Sequence, residues 1–325
     1  MHRRRFLNQA ALAGLAVSLA APAGAQSGAF PTKPIKLVVP YPAGGSGDLI
    51  GRIVAEGLAA RYGQAVTVDN RPGAGGHSGA EFALRQPADG YTLVLATIAH
   101  NGAYKLYKQL RYSPATDLVP VALIAESPNV LMVRSLLPIK SVPELLAYAR
   151  AHPGKLNYGS AGTGSATHMA AELFKHLARV DIVAIPFSGG APAMAALLGG
   201  QIDLTFETGS TAQQAIASGR VRALAVTSPE RSPKFPDLPP VADFVPGYAA
   251  VPWYTISAPR GLPPAVLAKL NADITAVVRS PEAAPRWEAL SVVPLGGSVD
   301  DAVRRNLVET RRWEAVIDSA RLQVE

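Results

Sequence analysis

The sequence contains no cysteine, and this absence excludes several kinds of chemistry. A chain without thiols has no disulfide framework, no cysteine nucleophile and no thiolate metal ligand. It also lacks the cysteine on which a lipid anchor is built after an export signal. We therefore expect neither disulfide bonds nor a lipidated N-terminus.

Long apolar runs are also missing: no stretch reaches the roughly 20 residues that a membrane-spanning helix needs. The apolar run at residues 10–21 is shorter, and it lies between an arginine cluster at residues 3–5 and the small residues 23–25. This order is typical of an export signal, and the arginine pair followed by Phe6 resembles a twin-arginine signal. We expect residues 1–25 to be a signal peptide, cleaved near Ala25 on export to the periplasm. An uncleaved N-terminal anchor is the alternative.

Beyond the arginine cluster at residues 3–5, charge of one sign is not concentrated anywhere in the sequence. The formal net charge is +7, and it falls to 28 − 24 = +4 when the three arginines of residues 3–5 are removed from the 31 basic residues. The basic residues are scattered, without the basic stripe interleaved with aromatics that nucleic-acid binding needs. We predict no nucleic-acid partner. A small anionic ligand fits this balance, and ordinary solubility explains it equally well.

Short apolar strands alternate with helical patterns along most of the chain, which is typical of crossover units around mostly parallel sheets. The predicted strands cover residues 35–40, 65–69, 91–97, 119–125, 130–134, 156–159, 182–187, 202–207, 221–227 and 253–258. The predicted helices cover residues 49–61, 79–86, 142–152, 166–178, 192–199, 211–218, 264–279, 281–290 and 299–320.

Two stretches rich in residues that interrupt secondary structure, 126–129 and 228–236, mark candidate crossings between domains. If the chain leaves its first domain at the former and returns at the latter, residues 26–125 and 228–325 form domain 1 and residues 126–227 form domain 2. Such a connection of two crossings behaves as a hinge, and ligands bind in the cleft beside it. The predicted fold class is α/β with two domains.

Two strand-to-helix turns have unusual compositions. The first glycine turn, residues 41–48, contains Gly44, Gly45 and Ser46; the second glycine turn, residues 160–165, contains Thr163 and Gly164 between two serines. Helix starts reached through such turns leave backbone N–H groups free to hold an anion. Neither turn contains lysine or arginine, so we expect dipoles, hydroxyls and ordered water to hold that anion. Two ordinary tight turns are the alternative.

Few other residues could carry chemistry. Glu207 ends an apolar strand, and we place it opposite an amine, hydroxyl or amide of the ligand because a carboxylate repels an anion. His100 and His168 follow a strand and open a helix, where both could face the cleft. Aromatic side chains that could wall the cleft are Tyr41, Phe187 and Trp253.

Enzymatic and cofactor interpretations have weaker support. No glycine-rich turn continues into the lysine of a P-loop, and no serine lies in a nucleophile elbow. The histidines show no metal-ligand spacing. We predict no cofactor, no metal and no enzymatic activity. An exported serine hydrolase that uses Ser165 and His168 is the alternative, and it requires a third group to orient the imidazole.

Several runs of residues, in order along the chain, resemble the Bug family of periplasmic solute receptors, the binding components of tripartite tricarboxylate transporters. These runs are residues 41–48 (YPAGGSGD), 70–76 (NRPGAGG), 89–92 (DGYT), 154–162 (GKLNYGSAG), 172–174 (ELF), 198–201 (LGGQ) and 222–227 (RALAVT). The resemblance implies a two-domain Venus-flytrap fold that closes on a small carboxylate, with bridging waters. It also implies delivery of the ligand to an integral membrane permease, and a signalling role is a further alternative. We expect the protein to be a monomer.

Carried over by position, the resemblance implies a set of ligand-binding residues. They are Ala43, Gly44, Gly45, Ser46, Thr97, His100, Ser160, Thr163, Gly164 and Ser165. The full predicted set of ligand-binding residues also includes Tyr41, Asp48, His168, Phe187 and Glu207, which the residues themselves suggest. Two departures from the family pattern lie in this set: Glu207-Thr208 replaces the usual Asp-Asn, and the loop from Thr97 to His100 lacks a glycine. The resemblance therefore leaves the identity of the carboxylate open.

Overall fold

Two β-sheets with helices packed against them organise residues 30–322, the part of the chain that this computed structural model describes. The side chain of Ser210 is also outside the description. The predicted signal peptide and its cleavage site lie outside the described residues. Within residues 30–322, no helix combines the length and the apolar character of a membrane span.

The strands, in chain order, are β1 (Ile35–Val39), β2 (Val66–Asn70), β3 (Thr92–Ala96), β4 (Leu118–Glu126), β5 (Asn129–Arg134), β6 (Asn157–Ser160), β7 (Val183–Pro186), β8 (Leu204–Thr208), β9 (Val221–Val226), β10 (Trp253–Pro259) and β11 (Val293–Pro294). The helices are α1 (Ser46–Tyr62), α2 (His77–Leu84), α3 (Pro114–Asp117), α4 (Val142–Ala151), α5 (Ala166–Ala178), α6 (Gly190–Leu198), α7 (Gly209–Ala217), α8 (Pro264–Val278), α9 (Ala284–Ala289) and α10 (Val299–Ala320).

Every strand and helix predicted from the sequence is present, with bounds that shift by three residues or fewer. The prediction missed β11 and α3, which are too short for a hydrophobic period to be read. One shift matters for the site: α1 begins at Ser46, three residues earlier than predicted. Asp48 is therefore inside its first turn.

The two sheets have the strand orders β11-β4-β10-β3-β1-β2 and β7-β6-β8-β5-β9. In each sheet four strands run in one direction, as predicted, but β10 and β11 in the first and β5 in the second run against their neighbours. The pairings are consequently mixed rather than mostly parallel. The chain leaves the first sheet at the end of β4 and enters the second sheet as β5 after two intervening residues. Because β5 begins at the edge where β8 and β9 end, it runs antiparallel to them.

The C-terminal helix α10 packs on both sheets. It contacts β4 of the first sheet, while its Trp313 and Ile317 belong to the apolar core that also contains Leu131 of β5 in the second sheet and Phe174 of α5. Its first turn is closed by a reciprocal cap between Ser298 and Asp301. The helical period of Trp313 and Ile317 predicts that Leu307 lies on the same buried stripe, but this is wrong, since Leu307 is 52% exposed.

Candidate functional site

A cavity of about 70 Å³ lies where the carboxyl ends of the strands of both sheets meet. By the usual requirement of about 10–15 Å³ per water, it has room for about five water molecules. The lining residues are Tyr41, Pro42, Ala43, Gly45, Ser46, Gly47, Thr97, Ala161, Ser165, Ala166, Thr167, Gly189, Gly190, Ala191, Pro192, Glu207, Thr208, Thr211, Pro252, Trp253 and Tyr254. Both glycine turns thus reach one cavity, and Glu207 is the only carboxylate or cationic side chain among its described lining residues.

The direction of β10 explains why aromatic residues line this cavity. Because β10 opposes β3 and β4, it begins at the edge where those strands end, with Trp253 paired to Glu126. Pro252, Trp253 and Tyr254 therefore join the lining from the start of a strand. Trp253 was predicted to line the cleft, and the structure places it in the lining of the cavity.

Asp48 shapes the first glycine turn from behind the cavity. Its Oδ2 accepts hydrogen bonds from the Gly44 amide (2.9 Å) and from Arg52 Nε (3.0 Å), and its Oδ1 accepts one from Asn70 Nδ2 (3.0 Å). Burial works against the ionised form, but these bonds outweigh it and lower the pKa of the Asp48 carboxyl. Asp48 positions the turn. The Gly44 amide, which we predicted to bind the ligand, instead donates its hydrogen bond to Asp48.

The second glycine turn is organised by its own hydroxyls. Ser165 caps α5 by accepting a hydrogen bond from the His168 amide (3.3 Å), and Thr167 Oγ1 accepts one from the Ala161 amide (2.8 Å). The Gly164 amide donates to Nδ1 of His168 (3.3 Å). Burial lowers the pKa of this imidazole to about 4, so it is neutral at pH 7.

These contacts do not assemble a hydrolase. The Ser165 hydroxyl interacts with the His168 amide and with Thr167 Oγ1, not with the imidazole ring. The ring nitrogen Nδ1 of His168 is already engaged by Gly164. Nucleophilic catalysis needs the hydroxyl and the ring within hydrogen-bond reach, and that pairing is absent from these described contacts.

Two hydrogen bonds join the sides of the cavity. Ser46 of the first glycine turn bonds through its hydroxyl to the hydroxyl of Thr208 at the end of β8. Tyr107, in the loop after β3, donates from its hydroxyl to the carbonyl oxygen of Thr163 (2.6 Å). The turns that follow β1 and β6 are thereby linked to elements of the opposite sheet.

The loop after β3 contributes Thr97 to the lining and keeps His100 behind it. Thr97 Oγ1 bonds to the Tyr41 hydroxyl (2.8 Å), and the Thr97 amide donates to His100 Nδ1 (3.2 Å). The opposite ring nitrogen, Nε2, lies 3.2 Å from the Gly76 carbonyl oxygen and therefore donates to it. Burial lowers the pKa of His100 to about 4. His100 is a neutral support for Thr97.

Glu207 lies in the lining and is only 2% exposed. Its Oε1 accepts hydrogen bonds from the Thr208 amide (2.9 Å) and from Thr208 Oγ1 (3.2 Å), whereas Oε2 has no partner. Burial raises the pKa of this carboxyl to about 7, against the lowering effect of the Thr208 bonds. Trp253 Nε1 is likewise buried without a partner.

The structure divides the predicted binding residues into two groups. Those in the lining are Tyr41, Ala43, Gly45, Ser46, Thr97, Ser165 and Glu207. Those outside the lining are Gly44, Asp48, His100, Ser160, Thr163, Gly164, His168 and Phe187. Phe187 packs on an apolar core cluster instead.

The sequence analysis missed lining residues at the starts of two helices. Gly189 to Pro192 lead into α6 after β7, and Thr208 and Thr211 belong to the start of α7. The signal for the former was available, since residues 187–192 (FSGGAP) repeat the order of strand, glycine turn and helix. For the latter, a strand followed by one glycine and hydroxyl residues (TGST, residues 208–211) was also present.

Comparison with known proteins shows the family and the fold. The family model described as "Tripartite tricarboxylate transporter family receptor" matches residues 50–322. The solved structure of R. palustris Rpa4515 with adipate has a TM-score of 0.86 and 38% identity, covering 90% of this chain and 98% of that one. MatC from Rhodopseudomonas palustris with bound malate has a TM-score of 0.84 and 32% identity, covering 89% and 100%.

The periplasmic binding protein BugD has the same fold, with a TM-score of 0.86 and 31% identity over 91% of this chain and 100% of its own. This match confirms the resemblance to Bug proteins that the glycine turns and later motifs carried. It also confirms the α/β fold class with two sheets. The chain belongs to the tripartite tricarboxylate transporter receptor family.

Proposed function

We propose that this protein captures a small carboxylate in the cavity between its two sheets and delivers it to a membrane permease of the tripartite tricarboxylate type. The observation that carries the proposal is the convergence of both glycine turns on one cavity whose described lining has no lysine or arginine. Backbone amides, hydroxyls and helix starts can balance a buried negative charge without a cation. Adipate and malate in two similar structures support the same ligand class.

Capture between lobes is the motion that best fits this arrangement. We place one lobe on each sheet. Residues 26–125 and 228–325 form the lobe of the first sheet, and residues 126–227 form the lobe of the second. The two chain crossings between them act as the hinge. Ser127 and Pro128 separate β4 from β5, and residues 227–252 separate β9 from β10. The contact of α10 with both sheets adds a third element that has to accommodate hinge motion.

The same proposal covers location and partners. Residues 1–25 act as the export signal, the mature receptor works as a monomer in the periplasm, and its cleft closes before it docks on the permease. The receptor carries out no reaction on the ligand. The neutral His168 and the capping role of Ser165 support binding rather than turnover.

A thermal-shift screen of the mature chain tests this function. Acetate, benzoate, aspartate, malate and adipate are compared with the neutral diamide of adipic acid as a matched ligand without charge. A ligand at about 100 times its Kd stabilises the folded state by about 2.7 kcal/mol, which raises the melting temperature by several degrees. Stabilisation by an acid but not by the diamide supports the proposal. No shift with any of the acids, or hydrolysis of a model ester that Ser165→Ala abolishes, contradicts it.

A further inference from the structure

Two buried polar atoms of the cavity residues have no hydrogen-bond partner, and they differ in kind. Nε1 of Trp253 can only donate, whereas Oε2 of Glu207 accepts when the carboxyl is ionised and donates when it is protonated. The residues are 1% and 2% exposed. A buried polar atom without a partner is costly, so each of them indicates a group that a ligand supplies.

The hydrogen bonds of Glu207 decide where a proton sits on its carboxyl group. Both donors from Thr208, the amide and the hydroxyl, point at Oε1. An oxygen that accepts two hydrogen bonds does not also carry the proton, so in the neutral acid the proton lies on Oε2. The protonated side chain therefore presents an O–H donor at the atom that has no protein partner.

Among the described residues that line the cavity, no lysine or arginine supplies a positive charge to Glu207. Tyr41 and Tyr254 line the same cavity as neutral phenols, since burial raises the pKa of both. The strand β5 pairs Val130 with Glu207, and α7 contributes the hydroxyl of Thr211 to the lining.

Besides the two Thr208 hydrogen bonds, the start of α6 is a neighbour that favours the ionised form. A Cβ built on Gly190 would lie 2.9 Å from Oε1, so the backbone approaches the carboxyl closely. No amide of α6 donates to Oε2, however, because Oε2 has no partner. Burial without a cation favours the neutral acid, in agreement with a pKa of about 7 for this carboxyl.

We propose that Glu207 holds a proton in the ligand-bound receptor and donates a hydrogen bond from Oε2 to a carboxylate group of a dicarboxylate, so that capture takes up one proton from solvent. With Glu207 neutral, Trp253 Nε1, Glu207 Oε2 and the two turns all offer donors, and a ligand with acceptors at both ends satisfies them. An ionised Glu207 would instead demand a ligand amine, hydroxyl or amide, the interpretation that the sequence alone favours. The inference rests on the proposed function and specifies the ligand class of its site.

Isothermal titration of the mature receptor with adipate and with malate tests the proton directly. At pH 8 in two buffers of different ionisation enthalpy, the heats should report uptake of about one proton for each ligand bound. The Kd should rise about tenfold for each pH unit above 7, because the free receptor then loses the proton that the complex keeps. A ligand that paired with an ionised Glu207 would give no uptake and a Kd that does not rise with pH.

The variant Glu207→Gln separates the two interpretations. Its amide keeps an acceptor for Thr208 and a donor in place of the Oε2 proton, so we expect a Kd within about threefold of the wild type at pH 6. Proton uptake should disappear, and the Kd should no longer change with pH. The control is Glu172→Gln, which alters a carboxyl bonded to Tyr158 and Lys175 away from the cavity and should leave the uptake near one proton.

The remaining outcomes are distinct. Zero uptake by the wild type, or a Kd more than tenfold weaker for Glu207→Gln at pH 6, overturns the proton on Glu207 but leaves carboxylate capture standing. Binding of monocarboxylates with no binding of adipate or malate does the same. Failure of every carboxylate to bind overturns the proposed function, and this inference with it.

Discussion

The hydroxyl of Tyr107 donates a 2.6 Å hydrogen bond to the carbonyl oxygen of Thr163 and so ties the loop after β3 to the second glycine turn. The ring of Tyr107 also lies against Gly164, where an added Cβ would come within 3.1 Å of it. One side chain thus spans the two sides of the cavity.

We expect Tyr107→Phe to weaken ligand binding, because the lost hydrogen bond joins the two sides only when the cavity is closed. A net hydrogen bond of about 0.5–1.5 kcal/mol corresponds to a Kd about 2- to 10-fold weaker. Isothermal titration with the best acid of the screen measures the change. Tyr104→Phe is the control, since its hydroxyl bonds to Glu314 (2.7 Å) and its loss should leave the Kd unchanged. Equal effects of the two variants would show that Tyr107 is not a specific link.

Substitution of Gly45 tests the ligand site without disturbing the backbone. Its φ is −80°, and an added Cβ would meet only the Pro42 carbonyl oxygen, at 3.6 Å. We expect Gly45→Ala to weaken binding and Gly45→Val to abolish it, with little change in melting temperature, because the added carbons enter the lining. Unchanged affinity in the valine variant would remove the first glycine turn from the site. Gly164→Val is a poorer test, since φ is +74° there and Tyr107 blocks the space.

Trp253→Phe should weaken binding about tenfold, since the indole N–H is a buried donor that the ligand satisfies. Calorimetry of the variant at pH 6 measures this loss, and the proton uptake should stay near one. Trp287→Phe provides the control, because its Nε1 donates to the Val278 carbonyl oxygen (2.9 Å) outside the cavity lining. A Trp253 variant that binds as tightly as the wild type would exclude an acceptor of the ligand at this position.

Acid should destabilise the fold through its buried histidines. Burial lowers the pKa of His77 to about 3 and that of His100 to about 4, whereas an unfolded chain titrates near 6.5. Between pH 6.5 and 4 the unfolded chain holds the extra proton, so each histidine lowers the free energy of unfolding by about 1.4 kcal/mol per pH unit as the pH falls.

Urea unfolding at pH 7.5, 6 and 5 measures this effect. His100→Gln should reduce the loss of stability with falling pH, whatever its stability at pH 7.5. The exposed His152→Gln is the control and should follow the wild type at all three pH values. A His100 variant with the wild-type slope would mean that this imidazole is protonated in the folded protein.

Hydrophobic alternation and glycine turns were sufficient to predict every strand and helix except β11 and α3, and the two glycine turns, predicted one to each domain, reach one cavity. The sequence could not place Tyr254, because that residue lies near the start of β10, whose direction is fixed by pairing with β3 and β4. The role of Asp48 was equally hidden. Its partner Asn70 is distant in sequence, and only the parallel pairing of β1 with β2 brings the two together.

Glu207 shows the limit of arguing from residue type. A carboxyl at a strand end is read as a charge, but its state depends on burial and on which oxygen is hydrogen-bonded. The burial of Glu207 and its hydrogen bonds depend on how β5 and α6 pack around it, and the sequence does not give those positions. The third glycine turn before α6 was missed for a simpler reason, since its pattern was present in residues 187–192.

A lining without lysine or arginine among the described residues has a consequence for the surroundings in which such a receptor operates. Mobile ions screen attraction between exposed charges over about 8–10 Å, but they do not reach peptide dipoles sealed against an enclosed guest. The Kd of the bound ligand should therefore be nearly the same at low and at high salt concentration. A cell exposed alternately to low and to high salt would therefore keep the same capacity for ligand uptake.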